Sequence, residues 1–216
     1  MTVNMLDQTM SMDIPPFRPS DHLLGIIQDV IASRRDTRIV LAGQGEIIVL
    51  PQAGAYYANV QNMAKFCQTP AAQFETGALG ESSLHYPAES ARSLKELLWQ
   101  AAFHVSQGRL PEGCTKYDVV QFRHWPNLTR LPITPHAAPI CALLTRTPTT
   151  IMLVRRILQV PREEVFQIYS AAYCAGLTTK IQNTPEQTEA EATIVNTPPP
   201  PTQGLMRSLW AKILGL

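Results

Sequence analysis

The sequence predicts an α+β fold, a small helix-plus-β-meander unit followed by a mainly helical unit. Three observations carry this. Leu23, Leu24, Ile27, Val30 and Ile31 recur at the spacing of one helix face. Two β-branched runs, TRIVLA and EIIVLPQ, are separated only by Gly43, Gln44 and Gly45, which is a hairpin signal. The stretch from Thr147 to Thr178 reads as two helices joined by a tight turn and closes on AGLT, as recognition helices often do.

In chain order, residues 1–19 are polar, Met-rich and punctuated by Pro15, Pro16 and Pro19, and are expected to form a mobile arm. Ser20 or Asp21 offers an N-cap for the first helix. The hairpin follows, and Ala55–Val60 supplies a third strand. The segment 62–74 suits a helix broken before Pro70, and Gly77 and Gly80 mark a boundary that closes a first unit at residues 20–85. In the second unit, residues 90–180, SLKELLWQAAFHVSQG is a helix that Gly108 stops. Tyr117 to about His124 alternates as a strand, and WPNLTRLPITP is a turn-rich connector. Pro135 opens a further helix, Thr149–Leu158 forms the next, and Pro161 takes the first position of the last. The order helix, strand, helix, helix, helix is winged-helix-like, with Leu177–Ile181 giving one short strand in place of a wing hairpin. Residues 181–203 are an acidic, Pro-rich linker with the run Pro198–Pro201. Residues 204–216 form an amphipathic segment whose apolar half holds Leu205, Met206, Leu209, Trp210, Ile213 and Leu214. A helix this short is marginal in water, so it is expected to fold only when docked.

Charged residues make up 16% of the chain, below the roughly 25% usual for soluble proteins, which suggests that a partner covers part of the surface. The formal charge of +1 supplies no global field toward nucleic acid or anionic membrane. No run of about 18 apolar residues and no secretory leader pattern occurs, so the expected location is the cytoplasm. Cys67, Cys114, Cys141 and Cys174 form no CxxC pair, and free core thiols are the expectation, with Cys114 in a loop where it could be exposed. His85, His104, His124 and His136 lack metal-ligand spacing. No GxSxG elbow exists, and the glycines of LAGQGEI join strands rather than open a helix. The chain is therefore expected to have no catalytic residues, cofactor or metal.

A recognition helix reads bases with Arg, Lys, Asn or Gln. On the last helix, Val165, Phe166, Ile168, Tyr169, Ala172, Tyr173 and Leu177 form an apolar face. The opposite face carries Glu163, Glu164, Gln167, Ser170, Ala171 and Cys174, of which Gln167 alone suits base readout and two repel phosphate. DNA binding is thus the alternative rather than the leading reading. FRHWPNLTRLP gathers Phe122, Arg123, His124, Trp125, Asn127 and Arg130 in nine residues. It is either a corner with Trp125 in the core or a protein-contact surface, because Trp and Arg are enriched at hot spots. The terminal segment, through Leu205, Leu209, Trp210 and Ile213, suits a partner's groove, a membrane surface with Arg207 and Lys212 outward, or the chain's own domain. A protein partner is preferred.

YDVVQFRHWPNLTRL followed by ICALLTRTPTTIMLVRRILQVPREEVFQIYSAAYCAGL resembles the winged-helix part of proteobacterial proteins that accompany small Ras-like GTPases, roadblock-type proteins, or polarity and type IV pilus systems. It is also loosely similar to PATAN-type regulatory modules. The resemblance covers residues 90–180 and carries no catalytic motif. It implies a non-enzymatic adaptor, with such proteins as partners. The expected function is accordingly an adaptor that uses Arg123, Trp125, Asn127 and Arg130 together with the terminal helix.

Overall fold

Helix α1 (Leu23–Ser33) buries Leu23, Leu24, Ile27 and Val30, the stripe that its spacing predicts. In the computed structural model, which describes residues 15–79 and 86–181, the chain is α+β. The linker and the terminal helix expected at 181–203 and 204–216 lie outside the described residues beyond Ile181. Ser20 and Asp21 do not cap α1. They sit in a 3-10 turn, Pro19–Asp21, and His22 takes the cap position. Nor do residues 15–19 belong to a mobile arm. Phe17 is 2% exposed, donates its N–H to the Leu110 carbonyl and accepts from Glu112 N, at 3.0 and 2.9 Å. A buried aromatic with both backbone groups satisfied is an anchor, which the surrounding prolines obscured in the sequence.

Strands β1 (Thr37–Leu41) and β2 (Gly45–Leu50) form the expected hairpin, in register from Thr37 opposite Val49 to Leu41 opposite Gly45. β2 also pairs with β3 (Ala55–Val60). Gly45 has φ +122°, and a Cβ there would press into the Asn59 carbonyl on β3. The Asn62 side chain caps α2 (Met63–Gln68) through Lys65 N. Two strands extend the meander beyond expectation. β4 (Glu75–Ala78) adds to the β1 edge, and β5 (Arg92–Ser93) adds to β3, giving the antiparallel order β4-β1-β2-β3-β5. β4 runs through Gly77, and its side chains are exposed, so alternation could not reveal it.

Helix α3 (Leu94–Ser106) starts on the Ser93 cap and ends where Gln107 and Gly108 turn left-handed. Its Leu97, Ala101 and Val105 enter a core with α1, the meander and Phe66. Its Trp99 and Phe103 enter a second core with the later elements of the chain. These are β6 (Val119–Phe122), α4 (Ala137–Arg146), β7 (Thr149–Thr150), α5 (Ile151–Leu158), α6 (Arg162–Cys174) and β8 (Thr178–Ile181). β6 is shorter than its alternation predicts, and it lies between β7 and β8 in a second antiparallel sheet. Pro161 occupies the cap of α6 rather than its first position. The predicted boundary near residue 90 is crossed by β5 and bridged by α3, and the chain up to Ile181 forms one compact unit.

Replacing Gly45 by Ala should cost about 2–3 kcal/mol, because a Cβ meets backbone rather than a movable side chain, at a φ that L residues rarely adopt. A fall in the urea midpoint at unchanged slope is the expected readout. An unchanged midpoint would contradict the close approach of β2 to β3.

Candidate protein-contact site

The connector leaves β6 at Phe122, which is buried. Arg123 then donates N–H to the Leu177 carbonyl (2.9 Å) and Nε–H to Thr179 Oγ1 (3.1 Å), fixing this end against β8. Pro126 is buried, and Leu128 and Leu131 pack on the second core. Thr129 donates its hydroxyl to Asn127 Oδ1 (2.7 Å), and Arg130 N–H to the Asn127 carbonyl (3.3 Å), which tightens the turn. At the far end, fully buried Trp99 donates Nε1–H to the Pro132 carbonyl (3.0 Å). Arg92 donates to the Arg130 carbonyl (3.2 Å) while also pairing with Glu96, whose second oxygen lies 4.0 Å from the Arg130 guanidinium.

A connector held at both ends presents its remaining side chains in fixed directions. Trp125 is 49% exposed, so it is not the core plug that the corner reading required; Trp99 on α3 fills that role. Arg123, Asn127 and Arg130 are exposed, as is Ile133. The structure thus places four predicted residues on one connector, with Arg123 tied to β8 and Arg130 to the start of α3. The other four, Leu205, Leu209, Trp210 and Ile213, lie outside the described residues.

Helix α6 is the element on which expectation fails most clearly. Its supposedly free face packs on α3 and the turn after it. Gln167 donates Nε2–H to the Phe103 carbonyl (3.0 Å), and Ser170 donates its hydroxyl to the Arg109 carbonyl (2.9 Å). Ser170 and Ala171 are fully buried. Gly108 lets Glu163 approach, since a Cβ at 108 would stand 2.8 Å from that of Glu163. Glu164 accepts from the His136 N–H (3.0 Å) and meets its Nδ1 (3.0 Å), so it caps α4 from a neighbouring helix. With Gln167 bonded inward, the one other side chain of a base-reading type on α6 is Arg162 at its first position, which pairs with Glu163 at 3.3 Å. Ser170, Ala171 and Ala172 are thus enclosed, as small neutral residues allow, while Glu163 and Tyr173 remain exposed.

A surface that the sequence reading passed over lies on α5. Leu153 and Ile157, one turn apart, are 44% and 53% exposed beside exposed Arg155 and Arg156. The signal was the LVRRI pattern itself, two aliphatics at i and i+4 beyond those needed for the core. The thiols are free, and burial pushes Cys67, Cys141 and Cys174 up to about 12. Cys114 is buried rather than exposed, and its Sγ accepts from the Tyr169 hydroxyl at 3.5 Å. Among the described residues no helix is long and apolar enough to cross a membrane. Comparison with protein-family models, curated proteins and solved structures finds no match.

Burial alone would raise the Glu164 carboxyl, but the His136 backbone N–H and imidazole outweigh it and hold the group below its ordinary 4.5. Its stabilising contribution is therefore complete above the unfolded value and is lost as pH falls through the lower, folded value. Glu164→Gln should lose about 1 kcal/mol at pH 7, as for a lost helix cap. The difference from the parent should shrink in denaturation curves as pH falls below 4.5 and through the lower, folded value. A gap that stayed constant with pH would exclude the cap.

Proposed function

We propose that the chain is a non-enzymatic adaptor that binds a protein partner through the connector surface around Trp125, together with the terminal amphipathic segment. One observation carries this reading: a half-exposed Trp on a connector fixed at both ends, which also carries the exposed Arg123 and Arg130. Trp and Arg are among the side chains that most often dominate protein contacts, Trp by burying a large rigid area and Arg by its fork of hydrogen-bond donors. The fixed connector lowers that cost further, because its backbone is ordered before binding. The family resemblance of residues 90–180 points to a small GTPase, a roadblock-type protein or a pilus-system protein as the partner class. It further supports an adaptor that α6, the helix a DNA reader would use, is occupied by α3.

The test is affinity capture with the full chain, Trp125→Ala, and a chain ending at Gln203. Trp125→Ala should weaken recovery of the partners about 30-fold, the scale of a hot-spot loss near 2 kcal/mol. Truncation should weaken it independently. If both variants recover the same partners as strongly as the parent, the reading is wrong. A band shift with duplex DNA that survives about 200 mM salt would favour a DNA-binding regulator instead; none is expected.

A further inference from the structure

Residues 119–162 contain six arginines, Arg123, Arg130, Arg146, Arg155, Arg156 and Arg162, and neither Asp nor Glu. The whole chain carries only +1, so its remainder is net acidic and positive charge collects in this stretch. Three of the six are engaged within the fold. Arg123 donates to Thr179, Arg130 lies 4.0 Å from Glu96, and Arg162 pairs with Glu163 at 3.3 Å. Arg146, Arg155 and Arg156 are exposed and have no hydrogen-bond or ion-pair partner among the described residues.

Two of these three stand on α5, beside uncovered aliphatic surface. The helix starts on the Thr150 hydroxyl, which accepts from Leu153 N–H (3.2 Å), and stops where Gln159 turns left-handed. Ile151 and Val154 are fully buried and hold one side of it to the core. Half-exposed Leu153 and Ile157 form a ridge on another side, because residues four apart are neighbours on a helix surface. Arg156, three residues after Leu153, borders that ridge. A recess of about 370 Å³ lies at the end of the helix, lined by Arg155, Arg156, Gln159 and Val160. Cations in a last turn favour the helix dipole. That accounts for the charge of the arginines, but not for two aliphatic side chains left in water.

We infer that α5 is a docking face for an amphipathic helix of a protein partner, one whose aliphatic stripe is bordered by Asp or Glu. The partner's apolar side chains pack along Leu153 and Ile157, ridge into groove, and its carboxylates meet Arg155 and Arg156. Arginine suits this role, since its planar fork takes a carboxylate through two hydrogen bonds. A surface of one charge sign also steers an oppositely charged partner toward it. An extended peptide fits less well, because a helix offers no open backbone edge for strand addition. The phosphates of a nucleic acid satisfy the arginines but leave the ridge unused. A lipid surface covers the ridge but, being level, leaves the recess unfilled. This face shares no residue with the Trp125 connector.

The test is selection, against the full chain, from a displayed library of short amphipathic helices with a fixed leucine stripe and randomised flanks. The tightest helix is then titrated by amide-resolved NMR. Its flanks should be rich in Asp and Glu, and it should shift the amides of Leu153, Arg155, Arg156 and Ile157. Arg155→Glu with Arg156→Glu should weaken it roughly tenfold and favour the same helix with Lys in place of its acids. Leu153→Ser with Ile157→Ser, at exposed positions that the core does not use, should weaken it by a similar factor and keeps the test decisive if the charge-reversed chain folds poorly. Trp125→Ala should leave it unchanged. The proposal is overturned if no helix is selected, if the flanks come out neutral or basic, or if the shifts fall outside α5. It is also overturned if Leu153→Ser with Ile157→Ser leaves the affinity unchanged, or if Trp125→Ala weakens it as much. Phosphatidylserine vesicles or duplex DNA shifting the α5 amides where no helix does would overturn it in favour of a membrane or nucleic-acid surface.

Discussion

Helix α3 is the element that both hydrophobic cores need. A helix normally buries one stripe, because its other face must meet water. Here one side of α3 supplies Leu97, Ala101 and Val105 to the core beneath the five-stranded sheet, and the other supplies Trp99 and Phe103 to the core around β6 and α6. The turn that ends α3 is equally constrained, since Gly108 both reverses the chain and makes room for Glu163. Two features of the second half of the chain depend on this arrangement. α3 offers α6 the Phe103 carbonyl, and through Trp99 it holds the far end of the connector at Pro132.

The helices and the hairpin were legible because their signals are local. Period 3.6 in α1 and α3, β-branched runs around a Gly turn, and prolines before α4 and α6 need no knowledge of the rest of the fold. What escaped was set by distant partners. β4 is exposed and contains Gly77, so only its bonds to β1 make it a strand. Phe17 reads as part of a proline-rich arm until Leu110 and Glu112 arrive. On α6, the wheel separated an apolar face from a polar one correctly. It could not say that Ser170 and Gln167 would be satisfied by carbonyls of α3 and its turn, and therefore that part of the polar face is also interior.

The same distinction governs the connector. Composition marked it as unusual but could not decide whether Trp125 faced inward or outward. The decision was made by Trp99, which was already committed to the core and had taken the connector's carbonyl at Pro132. Tyr117 escaped for a related reason. As the first residue of an alternating run it was assigned to a strand, whereas β6 begins only at Val119 and leaves Tyr117 in the loop.

The anchoring of Phe17 bears on the order in which this chain acquires its structure during synthesis. Arg18 pairs with Glu112 across 94 positions, and the Phe17 backbone is bonded to Leu110 and Glu112. Chains emerge from the ribosome N-terminus first, and contacts so distant in sequence carry a loop-closure cost. The meander and α1 can assemble early, but their core lacks Leu97, Ala101 and Val105 until α3 has appeared, and the Phe17 anchor waits a few residues longer. The nascent segment of α1 and the meander therefore remains an unfinished surface, with apolar residues uncovered, until α3 and the residues through Glu112 have been made. Its completion is timed by translation of the segment that also begins the second core.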